Sequence, residues 1–415
     1  MKILIVSYYP QPSMGGIWTF VSKLVNHLEE MGHEINILSL NQETYNYRIH
    51  GKKEEFTSQY HLAAEELLKV YPEYDPKSFI FQTEAYRYAL YLASLYYGLE
   101  DYDIIYAQDA LSAGVIGRVR PKGVPLVMSA HGYLSGEVYY YLKGQYPGTE
   151  ESAIKETDVY QFFHFLEKLG YHSCDIVHSQ SEWMRRLMIN ESKVPAEKIA
   201  LFPYGINVPA FLDSLASSKN IEAVGKKVIL FTGRLVSLKG LHTLLPALGQ
   251  LYRYRQDWEC WILGDGDERT SLEHQSRNLG IAHCVKFFGA VKNIFPYLKS
   301  ADLFVLPGLQ DTQPHAVMEA QLAGIPVIVS DATGLPEMVQ HHVNGCIFPV
   351  NNSEALFWQL NFLLEDDSIR IEMGHRSYHW AKERWDYDNL INNISSMFKE
   401  AISNKSSKHI NEEPL

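Results

Sequence analysis

Two carboxylates eight positions apart, Asp311 and Glu319, lie in the richest stretch of the chain, ADLFVLPGLQDTQPHAVMEAQLAGIPVIVSD (301–331). A buried strand is expected to end at Pro307, a polar loop to follow, and a helix to begin at Pro314 or His315. That geometry sets the helix start at the carboxyl edge of a parallel sheet, where α/β proteins take anionic ligands. The amides of His315, Ala316 and Val317 are then donors for a diphosphate or for sugar hydroxyls, and Glu319 is an acceptor for both hydroxyls of a ribose. A second stretch, FTGRLVSLKG (231–240), puts Arg234 and Lys239 directly after another strand. Two fixed positive charges there would stabilise charge developing on a departing diphosphate without a metal. Singly, each residue also fits a capping or surface role worth under about 1 kcal/mol. Their combination points to nucleotide-linked chemistry. Asp265 and Asp267 form an acid-x-acid string, but glycines flank the first acid just after a strand, which is turn chemistry. Hard cations need more oxygen ligands than this string offers, so no metal site is expected.

The elements that must position these groups are legible as a repeated strand-helix alternation. Residues 2–7 read as an apolar strand, Gly15 and Gly16 as a tight turn, 17–31 as a helix by apolar spacing, and 34–40 as a second strand. Further strands are expected at 103–107, 125–130 and 175–179, the last leading into a helix from Glu182. Such repetition implies a mostly parallel sheet covered on both faces. Residues 51–100 and 133–172 carry Tyr, Phe, Leu and charge at helical spacing and read as inserted helices. Within them Tyr139, Tyr140 and Tyr141 are candidates to stack on an acceptor sugar, although aromatic residues so spaced more often serve packing. After Pro209 the polar segment DSLASSKNIEAVGKK suggests a domain boundary near 209–226. The alternation then restarts, with strands expected at 228–232, 259–263, 285–288, 303–306, 326–329 and 346–348. A last helix near 388–403 shows Leu390, Ile391, Ile394, Met397 and Phe398 on one face, fit to seal the first domain. The tail from 403 is expected to fray.

Bulk properties agree with this plan. A chain of 415 residues suits two domains of roughly 200 each. The apolar fraction of 46% and charged fraction of 21% are those of a compact globular protein. A net charge of -12 from dispersed acids disfavours a nucleic-acid partner. The first ten residues, MKILIVSYYP, read as a strand and not as an export signal. No stretch of 18 apolar residues suggests a spanning helix, which leaves peripheral membrane contact open. The cysteines 174, 260, 284 and 346 form no Cys-x-x-Cys pair, as expected of reduced thiols in a cytoplasmic protein.

Taken in order, MGG (14–16), SAHG (129–132), FPYGIN (202–207), FTGRLVSLKG (231–240), ILGDGDER (262–269), VKFFGAV (285–291) and DTQPHAVMEAQLAGIPVIVSD (311–331) resemble the large family-4 group of retaining glycosyltransferases with the GT-B fold. The resemblance runs from residue 1 to about 400. It implies an α/β fold of two Rossmann-like, doubly wound parallel-sheet domains facing across a cleft. These would be 1–208 on the acceptor side and 209–385 for the nucleotide sugar, with the helix at 386–405 packing back on the first. It implies that Arg234 and Lys239 bind the donor diphosphate and Glu319 the nucleotide ribose. Asp311 would contact the donor sugar near its anomeric centre, while the backbone at His315, Ala316 and Val317 reads sugar hydroxyls. Gly15 and Gly16 would let the N-terminal loop approach the diphosphate, a use that suits a residue without a side chain. His131 matches the family's cleft histidine beside the transferred sugar, and Gly289 to Val291 match the loop bordering the base.

Departures limit what is inherited. The first acid of the family's acid-x7-acid motif is usually Glu and is here Asp311, one methylene shorter. Thr-Gln-Pro-His follows where many members have Gly-Phe-Gly, and Tyr204 and Asn207 stand where Asn and Asp are common. The resemblance implies a metal-independent, retaining transfer from a nucleoside-diphosphate sugar, a UDP-sugar foremost, to an unidentified hydroxyl acceptor that is a glycan, a lipid-linked molecule or a small molecule. No separate cofactor is expected. Asp311, His131, Arg234 and Lys239 are the expected catalytic groups, with domain closure excluding water. No carboxylate stands out as a covalent nucleophile, which favours front-face displacement. A nucleotide-sugar epimerase, a glycoside phosphorylase and a non-catalytic partner subunit are the alternatives. Oligomeric state is not legible.

Overall fold

The computed structural model describes residues 1–12, 16–52, 56–223 and 225–412. Within them the chain folds as two compact units. The first comprises Met1–Gln180, Met184–Phe202 and the chain from Ile391 onward; the second comprises Ser181–Trp183 and Pro203–Leu390.

The first unit is built on a sheet of β1 (Lys2–Pro10), β2 (Glu34–Leu40), β3 (Tyr47–Ile49), β4 (Ile104–Ala107), β5 (Leu126–Ser129), β6 (Ile176–Ser179) and β7 (Ile199–Leu201), in the order β3-β2-β1-β4-β5-β6-β7. All neighbours are parallel except β3, which runs antiparallel to β2 at the edge. The short central strands β4, β5 and β6 are buried throughout, as parallel strands covered on both faces must be. The expected inserted helices are Gln59–Val70, Phe79–Tyr97, Leu134–Gln145, Glu151–Lys155 and Asp158–Ser173. The edge strands β3 and β7 are additions to the expected set, because three residues carry too little periodicity to announce a strand.

The second unit repeats the plan with β8 (Lys227–Thr232), β9 (Trp258–Leu263), β10 (Val285–Gly289), β11 (Leu303–Leu306), β12 (Val327–Ser330) and β13 (Gly345–Phe348), in the order β10-β9-β8-β11-β12-β13. Every pair is parallel. The unit's main segment begins at Pro203, ahead of the polar stretch at 209–226, whose first part lies in the helix Val208–Ser217 capped by Asn207 Oδ1 on the Ala210 amide.

In both sheets the strand order reverses once, between β1 and β4 in the first and between β8 and β11 in the second. At such a reversal the loops leaving the carboxyl ends diverge to opposite faces, opening the crevice in which doubly wound proteins hold ligands.

The last helix spans Tyr387–Glu412 and belongs to the first unit from Ile391. Leu390, Ile391, Ile394, Met397 and Phe398 are all buried, and Phe398 meets the Tyr106 ring edge to face at 5.2 Å. The expected fraying from 403 is corrected: the helix continues through Glu412, for no Gly or Pro interrupts it and Lys405 is anchored to Asp175 at 3.2 Å.

Candidate active site

In the second unit the loops after β8 and β11 are brought together by backbone contact. Gly240 has φ +69°, and a Cβ on it would stand 1.8 Å from the Pro307 carbonyl oxygen. The two loops are locked alongside by the Leu309 amide donating to Leu238 O at 2.7 Å. Close approach of this kind requires glycine. Gly240→Ala should therefore destabilise the unit by about 2 kcal/mol, read as a lower unfolding midpoint in urea; an unchanged midpoint would contradict the packing described.

This contact delivers Lys239, at the end of the 3-10 turn Ser237–Lys239, to Asp311. Lys239 Nζ donates to Asp311 Oδ1 at 2.6 Å, with side chains 16% and 12% exposed. Asp311 Oδ2 is buried and has no hydrogen-bond partner among the described residues. A buried carboxylate oxygen left unsatisfied is costly, and its presence marks a place where a donor group is expected to arrive. Arg234, at the start of the same loop, is exposed and makes no ion pair among the described residues. Two cations and an open acceptor thus stand at the carboxyl edge of β8 and β11, the strands flanking the reversal.

The helix His315–Leu322 begins four residues after Asp311. Val317 is buried and its amide donates to Pro314 O at 3.2 Å. The expectation of an open amide at Val317 is corrected accordingly: the helix's first turn closes over it. Glu319 lies in the helix's second turn and is partly buried. Gly289 ends β10, and its carbonyl accepts from the Gly264 amide at 2.8 Å; Val291 follows, partly buried. Asp265 takes the turn role, with Oδ1 accepting from the Gly266 amide at 2.9 Å and Oδ2 paired with Arg269 at 3.2 Å.

Two of the departures from the family pattern prove to be in contact. Tyr204 stacks on the His315 imidazole, with centroids 5.6 Å apart and planes at 9°, and its amide donates to Gln313 Oε1 at 2.8 Å. They form one local arrangement, which their separation along the chain conceals.

In the first unit Gly15 lies outside the described residues, while Gly16 opens the helix Gly16–Glu30 and is not itself a turn residue. The carboxyl ends of β1 and β4 are tied by Asp109, which accepts from the Tyr8 amide at 2.8 Å, the Ser112 amide at 2.7 Å and Ser7 Oγ at 3.3 Å. Burial raises its pKa against those hydrogen bonds. His131 follows β5, and its Nε2–H donates to Gln108 Oε1 at 2.9 Å while Phe20 meets the ring edge on at 5.0 Å. Gln108 is not among the expected site residues, although a polar residue directly after a buried strand is the signal that points to it.

The helix after His131, Leu134–Gln145, has no side-chain cap of its own. Glu167 supplies one from the neighbouring helix Asp158–Ser173, accepting from the Leu134 amide at 2.7 Å, the Ser135 amide at 3.2 Å, Tyr171 Oη at 2.9 Å and Ser135 Oγ. Burial pushes Glu167 up to about 7 despite these bonds. Of the three candidate tyrosines for acceptor stacking, Tyr139 packs against the cluster of Val138, Leu142, Ile154, Tyr160 and Phe163. Tyr140 meets Tyr139 edge to face, and Tyr141 is exposed beside Phe79.

The chain matches the family model for glycosyl transferases group 1 over residues 215–380 and that for the glycosyl transferase 4-like domain over residues 15–205. It is 26% identical over 417 aligned positions to an uncharacterized glycosyltransferase of Methanocaldococcus jannaschii, covering 97% of this chain and 99% of that one. Among solved structures it is similar to sucrose-phosphate synthase from Thermosynechococcus elongatus, with a TM-score of 0.74, 17% identity, and coverage of 97% and 99%. It is also similar to Anabaena Alr3699/HepE in complex with UDP, with a TM-score of 0.69, 18% identity, and coverage of 96% and 100%. At such identities the structural likeness speaks for the fold, and the family models speak for the sequence. With two doubly wound parallel-sheet units and both halves matched, the chain belongs to the family-4 type of glycosyltransferases with the GT-B fold.

Proposed function

We propose that this glycosyltransferase moves a sugar, with retention of anomeric configuration, from a nucleoside-diphosphate sugar to a hydroxyl acceptor. The observation that carries the reading is the buried Asp311 Oδ2, unsatisfied among the described residues, beside Lys239 on the loop that also bears the exposed Arg234, at the reversal point of a parallel sheet. A sugar hydroxyl would donate to Oδ2. The donor diphosphate would take Arg234 and compete with Asp311 for Lys239. Glu319 would hold the ribose, and Gly289 to Val291 would border the base. A UDP-sugar is the preferred donor, supported by the UDP complex of the HepE relative.

In the step itself the acceptor oxygen bonds to the anomeric carbon as the bond from that carbon to the diphosphate oxygen breaks on the same face. The electron pair leaves with the diphosphate, which Arg234 and Lys239 stabilise, and the acceptor proton passes to a leaving-phosphate oxygen. With two fixed cations in this role the transfer needs no metal. His131, held by Gln108, is a further group we assign to the transferred sugar. A cytoplasmic setting fits the four buried free cysteines, and among the described residues no helix is long and apolar enough to cross a membrane.

The test is a thermal-shift screen of UDP-, GDP-, ADP- and dTDP-sugars with wild type and Arg234→Ala, followed by mass spectrometry of released nucleotide. A bound donor raises the melting temperature by mass action. One sugar nucleotide should stabilise the wild type, lose that effect in the variant, and hydrolyse slowly to nucleoside diphosphate. Absence of any binding at millimolar concentration would overturn the donor site, and a trapped glycosyl-Asp311 would overturn the front-face step.

A further inference from the structure

The carboxylate of Asp311 is short, so its reach depends on where its backbone is held. Both main-chain polar groups of Asp311 are taken by one side chain. The Asp311 amide donates to Thr333 Oγ1 at 2.9 Å, and Thr333 Oγ1 donates to Asp311 O at 2.6 Å. The Gly334 amide adds a third bond to Asp311 O at 3.0 Å. Gly334 lies so close that a Cβ on it would be 2.1 Å from Thr312 O. At the other end of the same loop Ser330 Oγ donates to Gly308 O. The segment leaving β12 therefore clasps the segment leaving β11 at two points.

Thr333 holds this place in an unfavourable conformation. Its φ is +54°, in the left-handed region that β-branched residues avoid at a cost of about 1–2 kcal/mol. Asn or Gly would adopt it more readily, yet neither offers a hydroxyl that both gives and accepts at this distance.

We infer that Thr333 is a positioning residue for donor-sugar recognition: its hydroxyl fixes the Asp311 backbone so that Oδ2 is presented to the sugar while Oδ1 stays with Lys239. The inference rests on the donor-site reading above. It predicts a separation of effects, because on that reading the nucleoside diphosphate is held by Arg234, Lys239 and Glu319, none of which is hydrogen-bonded to Thr333. Loss of the hydroxyl should weaken the sugar's contribution and leave the nucleotide's intact.

The experiment compares Thr333→Val, which keeps shape and strain but not the hydroxyl, Thr333→Gly, which removes both hydroxyl and strain, and Thr333→Ser, which keeps the hydroxyl. Affinities are measured by calorimetry for the nucleoside diphosphate and the sugar nucleotide that bind best among the UDP, GDP, ADP and dTDP series, together with kcat and KM for donor hydrolysis. Val and Gly variants should bind the bare nucleotide as wild type does, bind the sugar nucleotide about tenfold more weakly, and lose kcat by a similar factor, with Ser close to wild type. Wild-type behaviour in the Val and Gly variants overturns the inference, as does parallel loss of bare-nucleotide affinity or failure of Ser to rescue. A wild type that binds a nucleoside diphosphate but gains nothing from the sugar overturns it too. A wild type that binds no nucleotide at all overturns the donor reading and this inference with it.

Discussion

Lys239→Ala is expected to remove activity and stability together, whereas Arg234→Ala removes activity alone. The difference follows from partners. Lys239 is paired at 2.6 Å with a carboxylate whose second oxygen already lacks one, and both side chains are largely buried. Truncating it leaves a charge with neither oxygen satisfied, an arrangement that costs about 3 kcal/mol. Arg234 is exposed and unpaired among the described residues, so its removal should leave the unfolding midpoint within experimental error. Each cation is expected to contribute about 100-fold or more to turnover by stabilising the leaving diphosphate. Nucleotide release and urea denaturation on the two variants make the comparison. The double variant Lys239→Met with Asp311→Leu should recover most of the lost stability without recovering turnover, since apolar replacement of a buried pair removes the stranded charge. Equal destabilisation by the two single variants would mean that the ion pair does not have the weight given to it.

Glu167 and His178, both buried in the first unit, have opposite pH dependences. Glu167, raised from 4.5 to about 7, binds its proton more tightly folded than unfolded, so its contribution to stability is full below about pH 4.5 and is lost as pH rises through 7. His178 is lowered from 6.5 to about 4 by burial, with Nε2–H donating to Phe202 O at 2.8 Å and Nδ1 paired with Ser129 Oγ at 2.8 Å. It folds neutral, so its contribution is full above about pH 6.5 and is lost as pH falls through 4. Each displacement is worth about 3 kcal/mol, and within one unit the two slopes oppose. Wild-type stability should therefore show little of either. Measured as the difference from wild type in urea unfolding, Glu167→Gln should gain about 3 kcal/mol as pH rises from 4.5 to 7. His178→Gln should lose a similar amount as pH rises from 4 to 6.5. Differences that stay flat across that range would contradict the buried states assigned here. Because Glu167 caps the helix that follows His131, its charge state also bears on how firmly that loop is held.

Much of the scaffold is legible in the order of residues alone. The strands expected at 34–40 and 303–306 are those observed, and the others in the second unit differ by only a residue or two at their ends. Buried parallel strands bounded by turn residues are local signals, as is the apolar face of the last helix. The short edge strands escape for the opposite reason, since β3 and β7 are fixed by pairing with β2 and β6 and carry little pattern of their own. In the tail, polarity suggests fraying, whereas an unbroken helical composition and the Lys405–Asp175 pair extend the helix. Val317 reads as an open amide because the order of residues does not show which peptide closes the first helical turn.

By itself the sequence determined the alternation of strands and helices, the two-unit plan, and the residues that stand as site candidates: Arg234, Lys239, Asp311 and Glu319. These are properties of periodicity and of short motifs, which act within a few residues. Only the tertiary structure decided that β8 lies beside β11, and hence that Lys239 and Asp311, 72 positions apart, form one ion pair. It alone showed that one oxygen of Asp311 is buried without a partner among the described residues, that Thr333 holds the Asp311 backbone, and that Tyr204 stacks on His315. Strand order depends on the packing of whole elements, and hydrogen-bond satisfaction depends on which loops that order brings together; neither leaves a signature in local spacing.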